Sequence, residues 1–415
     1  MHRPQQARSV AAAMSPTAGA QSSFGSIDRH ALAADCAQER SVERLAAYLT
    51  RPAANEEEAA RAIFRWIAAN IAYDTGRPGS PPRALVNGGA AAVLVRRSAL
   101  CGGIAELFGQ LGRAAGLETT TVSGFSKGQG YRVGGRLRGE PDHAWNAVRI
   151  RGQWRLLDAT WGGGAYMGRK YVRQFDGHYF LPPPAQFIYD HLPEDPAWQL
   201  LEQPLCKAEF EALPHLKPGF FRHGLELGSH LQGTITTGAK LDTVLGVPPA
   251  VWLHAELRTE GRRLGKPLVF CQREEERYKL RVAFPRSGVY TLRIFANASG
   301  PPEPFEWVMD YRVRAVRGAG GQAGYPIPYA AFSERGATLR KPFQRLLRAG
   351  QTHRFGIRVP GVMEVALLAG GQWIPLEERD GEFSGKVAVP KGRIMLAAKQ
   401  PQGKKFDVLL EYRGY

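Results

Sequence analysis

The apolar residues of this chain change their spacing at Gly116, and that change imposes two kinds of architecture on one polypeptide. Before it, Val42, Leu45 and Leu49 recur three and four residues apart. Ala60, Ile63, Phe64, Ile67 and Ile71 form a second such stripe, and Ile104, Leu107, Phe108 and Leu111 a third. This is the period of amphipathic helices. Asn55 with Glu58 reads as an N-cap and its capping-box partner. Glycines and prolines in 76–82 break the second helix, and Gly116 stops the third, which is predicted to begin near Cys101. Beyond Gly116, residues 119–122, 144–150 and 154–157 are β-rich and separated by Gly-containing turns. Helices followed by antiparallel strands predict an α+β domain over residues 28–190.

A proline series (182–184, 193, 196, 204, 214 and 218) predicts a wrapped connector without regular structure over 191–222. Farther on, strict alternation takes over: Val251, Leu253, Ala255, Leu257; Tyr278, Leu280, Val282, Phe284; Phe305, Trp307, Met309, Tyr311, Val313. After the Gly-rich break 318–324 it returns in Phe355, Ile357, Val359 and in Phe406, Val408, Leu410, Tyr412. Two all-β, immunoglobulin-like sandwich domains are expected, at 223–317 and 323–415. Residues 1–27 contain no Asp or Glu and read as a disordered leader. Its longest apolar piece, 10–14, is shorter than a signal-peptide core. Its acidic-poor composition weakly resembles a transit peptide, but a cytoplasmic location is the expectation.

Composition removes several functions. Of the 55 basic residues, set against 38 acidic ones for a net +17, 42 are Arg. They occur singly or in pairs such as Arg96-Arg97, Arg262-Arg263 and Lys404-Lys405, with no basic run interleaved with aromatics. A polyanion binder concentrates its charge, so no nucleic-acid partner is expected. No apolar stretch reaches membrane-span length. The cysteines at 36, 101, 206 and 271 make neither a disulfide framework nor a zinc cage. His223, His230 and His254 lack ligand spacing, Glu274-Glu275-Glu276 lacks a calcium-loop pattern, and Gly370-Gly371 lacks a phosphate-loop context. No cofactor and no metal are expected.

Three segments carry chemistry. Leu100-Cys101-Gly102-Gly103 puts a thiol where a turn enters a helix, and unpaired amides there favour thiolate. His143 opens a strand in Asp142-His143-Ala144-Trp145. Asp158 ends the next strand in Leu157-Asp158-Ala159-Thr160-Trp161. A two-residue turn at Arg151-Gly152 allows hairpin pairing to bring His143 and Asp158 together, as a Cys-His-Asp relay needs. Each residue alone has an ordinary role: a small buried thiol, a satisfied polar histidine, a turn-forming aspartate. Only their combination points to catalysis.

These residues also resemble the transglutaminase-like cysteine hydrolase superfamily, and within it the kyphoscoliosis peptidase-like group and its bacterial relatives. Ala62-Ile63-Phe64-Arg65-Trp66-Ile67 with Asn70-Ile71-Ala72-Tyr73-Asp74 is similar to that group's leading helix. Arg97-Ser98-Ala99-Leu100-Cys101-Gly102-Gly103 is similar to its nucleophile segment, and His143-Ala144-Trp145-Asn146-Ala147-Val148 and residues 154–161 follow in its order. His191-Leu192-Pro193-Glu194-Asp195-Pro196 is similar to its connector into a β-sandwich region. The resemblance implies a papain-like core with Cys101 as nucleophile, His143 as base then acid, and Asp158 as the group that orients it. Two departures stand out: Ala99-Leu100 where relatives often have Gly-Val, and Ile104 where they have an aromatic. Trp145, Trp161, Gly102 and Gly103 are the candidate pocket residues. The expected activity is acyl transfer on protein amide or peptide bonds through a thioester, as a peptidase, deamidase or transglutaminase. The rival reading is a catalytically silent interaction scaffold. A protein or peptide substrate is expected, with protein partners on the β-sandwiches.

Overall fold

The computed structural model describes residues 24–74, 89–128, 130–167, 170–300, 303–400 and 405–415. Residues 1–23 of the expected leader and the break expected at 76–82 lie outside these. Helix α1 (Gly25–Leu32) starts inside the stretch assigned to the leader and buries Ile27. The chain forms two compact units that divide between residues 211 and 212.

In the first unit, α1 is followed by α2 (Val42–Thr50), α3 (Glu56–Asn70), α4 (Gly89–Arg96) and α5 (Cys101–Ala114). The stripe of α3 is buried along its length, Ala60, Ile63, Phe64 and Ile67 all lying in the core. The Asn55 side chain accepts the Glu58 N–H at 3.0 Å, whereas the Glu58 carboxylate takes the Ala54 N–H at 2.8 Å, one residue earlier than a capping box requires. Arg61 is held inside by two 2.8 Å bonds to Asp28 and by the rings of Phe24, Phe175 and Phe180, which ties α1 to α3.

The unit also contains a four-stranded antiparallel sheet, β1 (Thr119–Ser126), β2 (His143–Ile150), β3 (Gln153–Leu157) and β4 (His191–Pro193), in the order β3-β2-β1-β4. Arg151 and Gly152 both take positive φ, at 49° and 76°, as a tight hairpin turn demands. Asn146 Nδ2 donates to the Ala105 carbonyl at 3.0 Å, which pins α5 to β2 one turn beyond Cys101.

The stretch expected to be a connector is partly regular structure. His191 to Pro193 pairs with β1, and helices form at Lys207–Ala212 and Pro218–Arg222. Proline can occupy the end of an edge strand because no ladder partner needs its missing N–H. The strand lies so close to β1 that a Cβ on Gly124 would fall 2.3 Å from the Leu192 carbonyl oxygen and 2.5 Å from Trp145.

In the second unit, strands Lys240–Gly246, Val269–Glu274 and Arg277–Ala283 form one sheet with Glu226–Leu227. Thr234–Thr237, Trp252–Thr259, Gly288–Asn297 and Glu306–Ala315 belong to another. A further pair of sheets follows, built on Thr352–Arg358 with Glu382–Ala388 and on Glu364–Ala369, Gly392–Lys399 and Phe406–Gly414. Phe355, Ile357, Val365, Leu367, Leu396 and Leu410 fill the core of that second pair. Phe270 packs on Phe332, and Gln272 accepts the Leu339 N–H at 2.8 Å, which joins the two sheet pairs.

The close approach at Gly124 sets a stability test. Gly124→Ala should cost about 1–3 kcal/mol in urea unfolding, because the added methyl meets backbone. Gly102→Ala, whose Cβ would meet nothing within 4 Å, should stay within about 1 kcal/mol of the parent.

Candidate active site

The path into α5 fixes Cys101. Ala72 and Tyr73, just after α3, pair in parallel with Ser98 and Ala99, and the Asp74 N–H bonds the Ala99 carbonyl at 3.0 Å. The next residue, Leu100, is the N-cap of α5 and offers no side-chain acceptor. The first amides of α5 therefore have no side-chain cap from Leu100 beside the half-buried Cys101 thiol. Gly102 leaves open space, while Gly103 is required by packing: a Cβ there would come within 2.9 Å of the Ala99 methyl.

His143, the first residue of β2, bonds Asp158 through Nε2 to Oδ2 at 2.8 Å. Asp158 is the N-cap of α6 (Ala159–Gly163), and its Oδ1 accepts the N–H groups of Thr160 and Trp161 at 2.7 and 3.1 Å. The Cys101 thiol shares a hydrogen bond with His143. The structure thus brings together all three residues singled out from the sequence.

The electrostatics of the three are complementary. Burial pushes the Cys101 thiol up, but the hydrogen bond and charge of His143, with the Ala144 N–H, hold it below its usual range. Burial pushes the His143 ring down, and the charge and hydrogen bond of Asp158 override this and raise it to about 10. Burial would likewise push Asp158 up, but its bonds to His143 and His191 hold it well below the carboxylate range. Thiolate beside imidazolium is the favoured pairing.

One feature of the site was missed in the sequence. His191 in β4 is fully buried and donates through Nε2 to the same Asp158 Oδ2 at 3.1 Å, while its Nδ1 meets Asp190 Oδ1 at 2.6 Å. Asp190 Oδ2 accepts the Tyr179 hydroxyl at 3.2 Å. The signal was an Asp-His pair amid Phe187, Ile188, Tyr189 and Leu192, masked by the neighbouring prolines. His143, Asp158 and His191 also offer ligand atoms within 4.8 Å of one another, a spacing a metal could use. Those atoms are already committed to mutual hydrogen bonds, which accounts for the spacing without an ion. Trp161 and Trp145 both lie against the His143 ring, at 5.3 and 5.9 Å between centroids, and both also pack on His191. Trp145 is buried, so it supports the imidazoles from inside the core, whereas Trp161 is partly exposed.

Residues 43–159 match the family model for the transglutaminase-like superfamily, and residues 207–319 match that for the KY-like, immunoglobulin-like domain. The chain carries both domains, in that order. The transglutaminase-like domain holds the Cys-His-Asp cluster, and a β-rich immunoglobulin-like region follows it. Kyphoscoliosis peptidase of Mus musculus is 32% identical over 278 residues, covering 66% of this chain and 40% of the relative. Hillarin of Drosophila melanogaster is 29% identical over 316 residues, covering 68% of this chain and 37% of the relative. A TGase of known structure overlays at a TM-score of 0.22 with 17% identity, covering 42% of each chain. The chain spans about 40% of the length of the kyphoscoliosis peptidase it matches. Among the described residues, no helix is long and apolar enough to cross a membrane.

The depressed Asp158 carboxyl predicts an acid dependence. Its contribution to stability is present above the unfolded value of about 4 and is lost as pH falls through the folded value. Asp158→Asn should therefore flatten the decline in unfolding free energy between about pH 5 and pH 2, measured by denaturant titration. An equally steep decline in the variant would place the acid sensitivity elsewhere.

Proposed function

We propose that the transglutaminase-like domain is a cysteine-dependent acyl-transfer enzyme acting on protein amide or peptide bonds. The observation that carries this is the continuous line from Cys101 through His143 to Asp158, set at a helix start with no side-chain cap. In this reading, the Cys101 thiolate attacks the substrate carbonyl carbon. The Cys101 N–H, at the uncapped start of α5, donates to the oxyanion that develops. The His143 imidazolium then gives its proton to the departing amine as the C–N bond breaks, leaving a thioester and a neutral imidazole. That imidazole takes a proton from the second nucleophile, which attacks the thioester and releases the Cys101 sulfur. Asp158 holds the ring in one orientation throughout and stabilises its charged form.

Water as second nucleophile gives peptidase or deamidase chemistry, and a lysine amine gives transglutamination. The name peptidase borne by the mouse relative favours water. The immunoglobulin-like region, in which no catalytic cluster occurs among the described residues, binds substrate or partner proteins in this reading.

Two exposed cysteines, Cys36 and Cys206, provide an internal reference for thiol reactivity. At about pH 6 an ordinary thiol is under about 1% ionised, so iodoacetamide should modify Cys101 at least about tenfold faster than either. His143→Ala should remove that advantage. If Cys101 reacts no faster than the reference thiols, the domain is a silent scaffold. To identify the acceptor, the protein is incubated with a cell extract and a tagged amine, followed by mass spectrometry. New chain termini that depend on Cys101 indicate hydrolysis of peptide bonds, and incorporated tag indicates transamidation.

A further inference from the structure

We propose that His191 is a positioning residue for this site, locked as an imidazolium between Asp158 and Asp190 so that both buried carboxylates stay ionised. The proposal builds on the cysteine-enzyme reading above and adds a fourth member that never touches substrate.

The hydrogen-bond inventory favours the charge. Both His191 nitrogens face carboxylate oxygens, at 3.1 Å to Asp158 and 2.6 Å to Asp190. An ionised carboxylate only accepts, so a neutral ring would turn a lone pair on one of them. A proton on Asp158 instead would have no room. Its four acceptor positions are taken by the Thr160 and Trp161 amides, His143 and His191. Asp190 already accepts the Tyr179 hydroxyl on its other oxygen. His191 has no exposed surface through which water could substitute. Phe187 stacks on its face at 4.0 Å with 12° between planes, and Trp161 and Trp145 close the remaining sides.

The charged and titratable groups around the ring come from every neighbouring element. Asp190 precedes it in the chain, Asp158 caps α6, and Tyr179 ends the turn at Gly177–Tyr179. His143 stands 5.4 Å away in β2, with Cys101 beyond it. Two carboxylates in one dry site repel each other, and without an intervening cation one of them takes a proton. If Asp158 is the one, His143 loses the partner that keeps it protonated, and the Cys101 thiolate loses its counter-ion. His191 prevents this by neutralising Asp190, which leaves the charge of Asp158 for His143. The upward displacement of the His191 ring is consistent with this: burial opposes it, and Asp190 and Asp158 outweigh burial.

Two measurements on the full chain test the proposal. In nitrogen-15 NMR of the histidine rings, both His191 nitrogens should stay protonated above the ordinary histidine value of about 6.5. A titration step near the ordinary histidine value of about 6.5, or a singly protonated ring, overturns the imidazolium. In the second, the rate of Cys101 alkylation is followed against pH for His191→Gln and Asp190→Asn. The midpoint should rise by about one unit or more in His191→Gln, about a tenfold slower reaction near pH 6, with Cys36 unchanged. Asp190→Asn should let His191 titrate.

A purely structural role would lower the melting temperature and leave the pH profile in place, which would overturn the positioning role. If His191→Gln does not fold, the parent's NMR and Asp190→Asn decide; a His191 that still does not titrate in Asp190→Asn counts against the proposal. Slow alkylation of the parent overturns the enzyme reading. Fast alkylation of the parent with unchanged profiles in the variants overturns this proposal alone.

Discussion

The carboxylate of Asp158 is the point on which the first unit's buried polar cluster turns. It is almost wholly buried, and each of its four acceptor positions is filled: two by the amides of the helix it caps, one by a strand histidine, one by a histidine from the sheet edge. Burying an ionised carboxylate is costly unless charge-assisted bonds replace its water. Here three separate elements supply them, so β2, α6 and β4 can reach low energy only together. A side chain bound on every side has no alternative rotamer. The His143 ring that shares its Oδ2 inherits that fixed orientation.

How this convergence arises explains which parts were legible in the sequence. Helical and alternating periodicities located α2, α3, α5 and the sandwich strands, because each is long enough to show its period. The turn at Arg151-Gly152 announced the hairpin, and both residues adopt the positive φ it needs. Yet the ladder ends at Asn146 opposite Leu157, so His143 and Asp158 are not directly paired across it. They meet because the chain leaves β3 at Asp158 to cap α6. Proximity was inferable from the hairpin; the cap that directs the carboxylate was not.

His191 was hidden for a different reason. A three-residue edge strand is too short to display alternation, and its Pro193 reads as a breaker. The strand exists because Gly124 permits β1 to approach within contact of the Leu192 backbone, and because Phe187 and Leu192 bury beside it. Those are tertiary causes, and local propensity carries no trace of them. The prolines that read as a connector therefore also concealed the strand that carries His191.

The start of α5 follows the opposite logic from Asp158. Where the carboxylate is oversatisfied, the amides behind Leu100 have no side-chain acceptor, although a Ser, Thr, Asp or Asn at that position would add about 0.5–2 kcal/mol. A capping oxygen there would occupy the same donors that a sulfur anion or a developing oxyanion needs. The first turn is held instead from outside, by the short parallel pairing of Ala72 and Tyr73 with Ser98 and Ala99 and by Gly103 packed on Ala99. Local helix stability is lower than it might have been, and the surrounding packing restores the geometry. A rigid acceptor on one side of His143 and donors without a side-chain cap beside Cys101 are the two conditions under which a proton held on that imidazole and a negative charge on that sulfur can coexist.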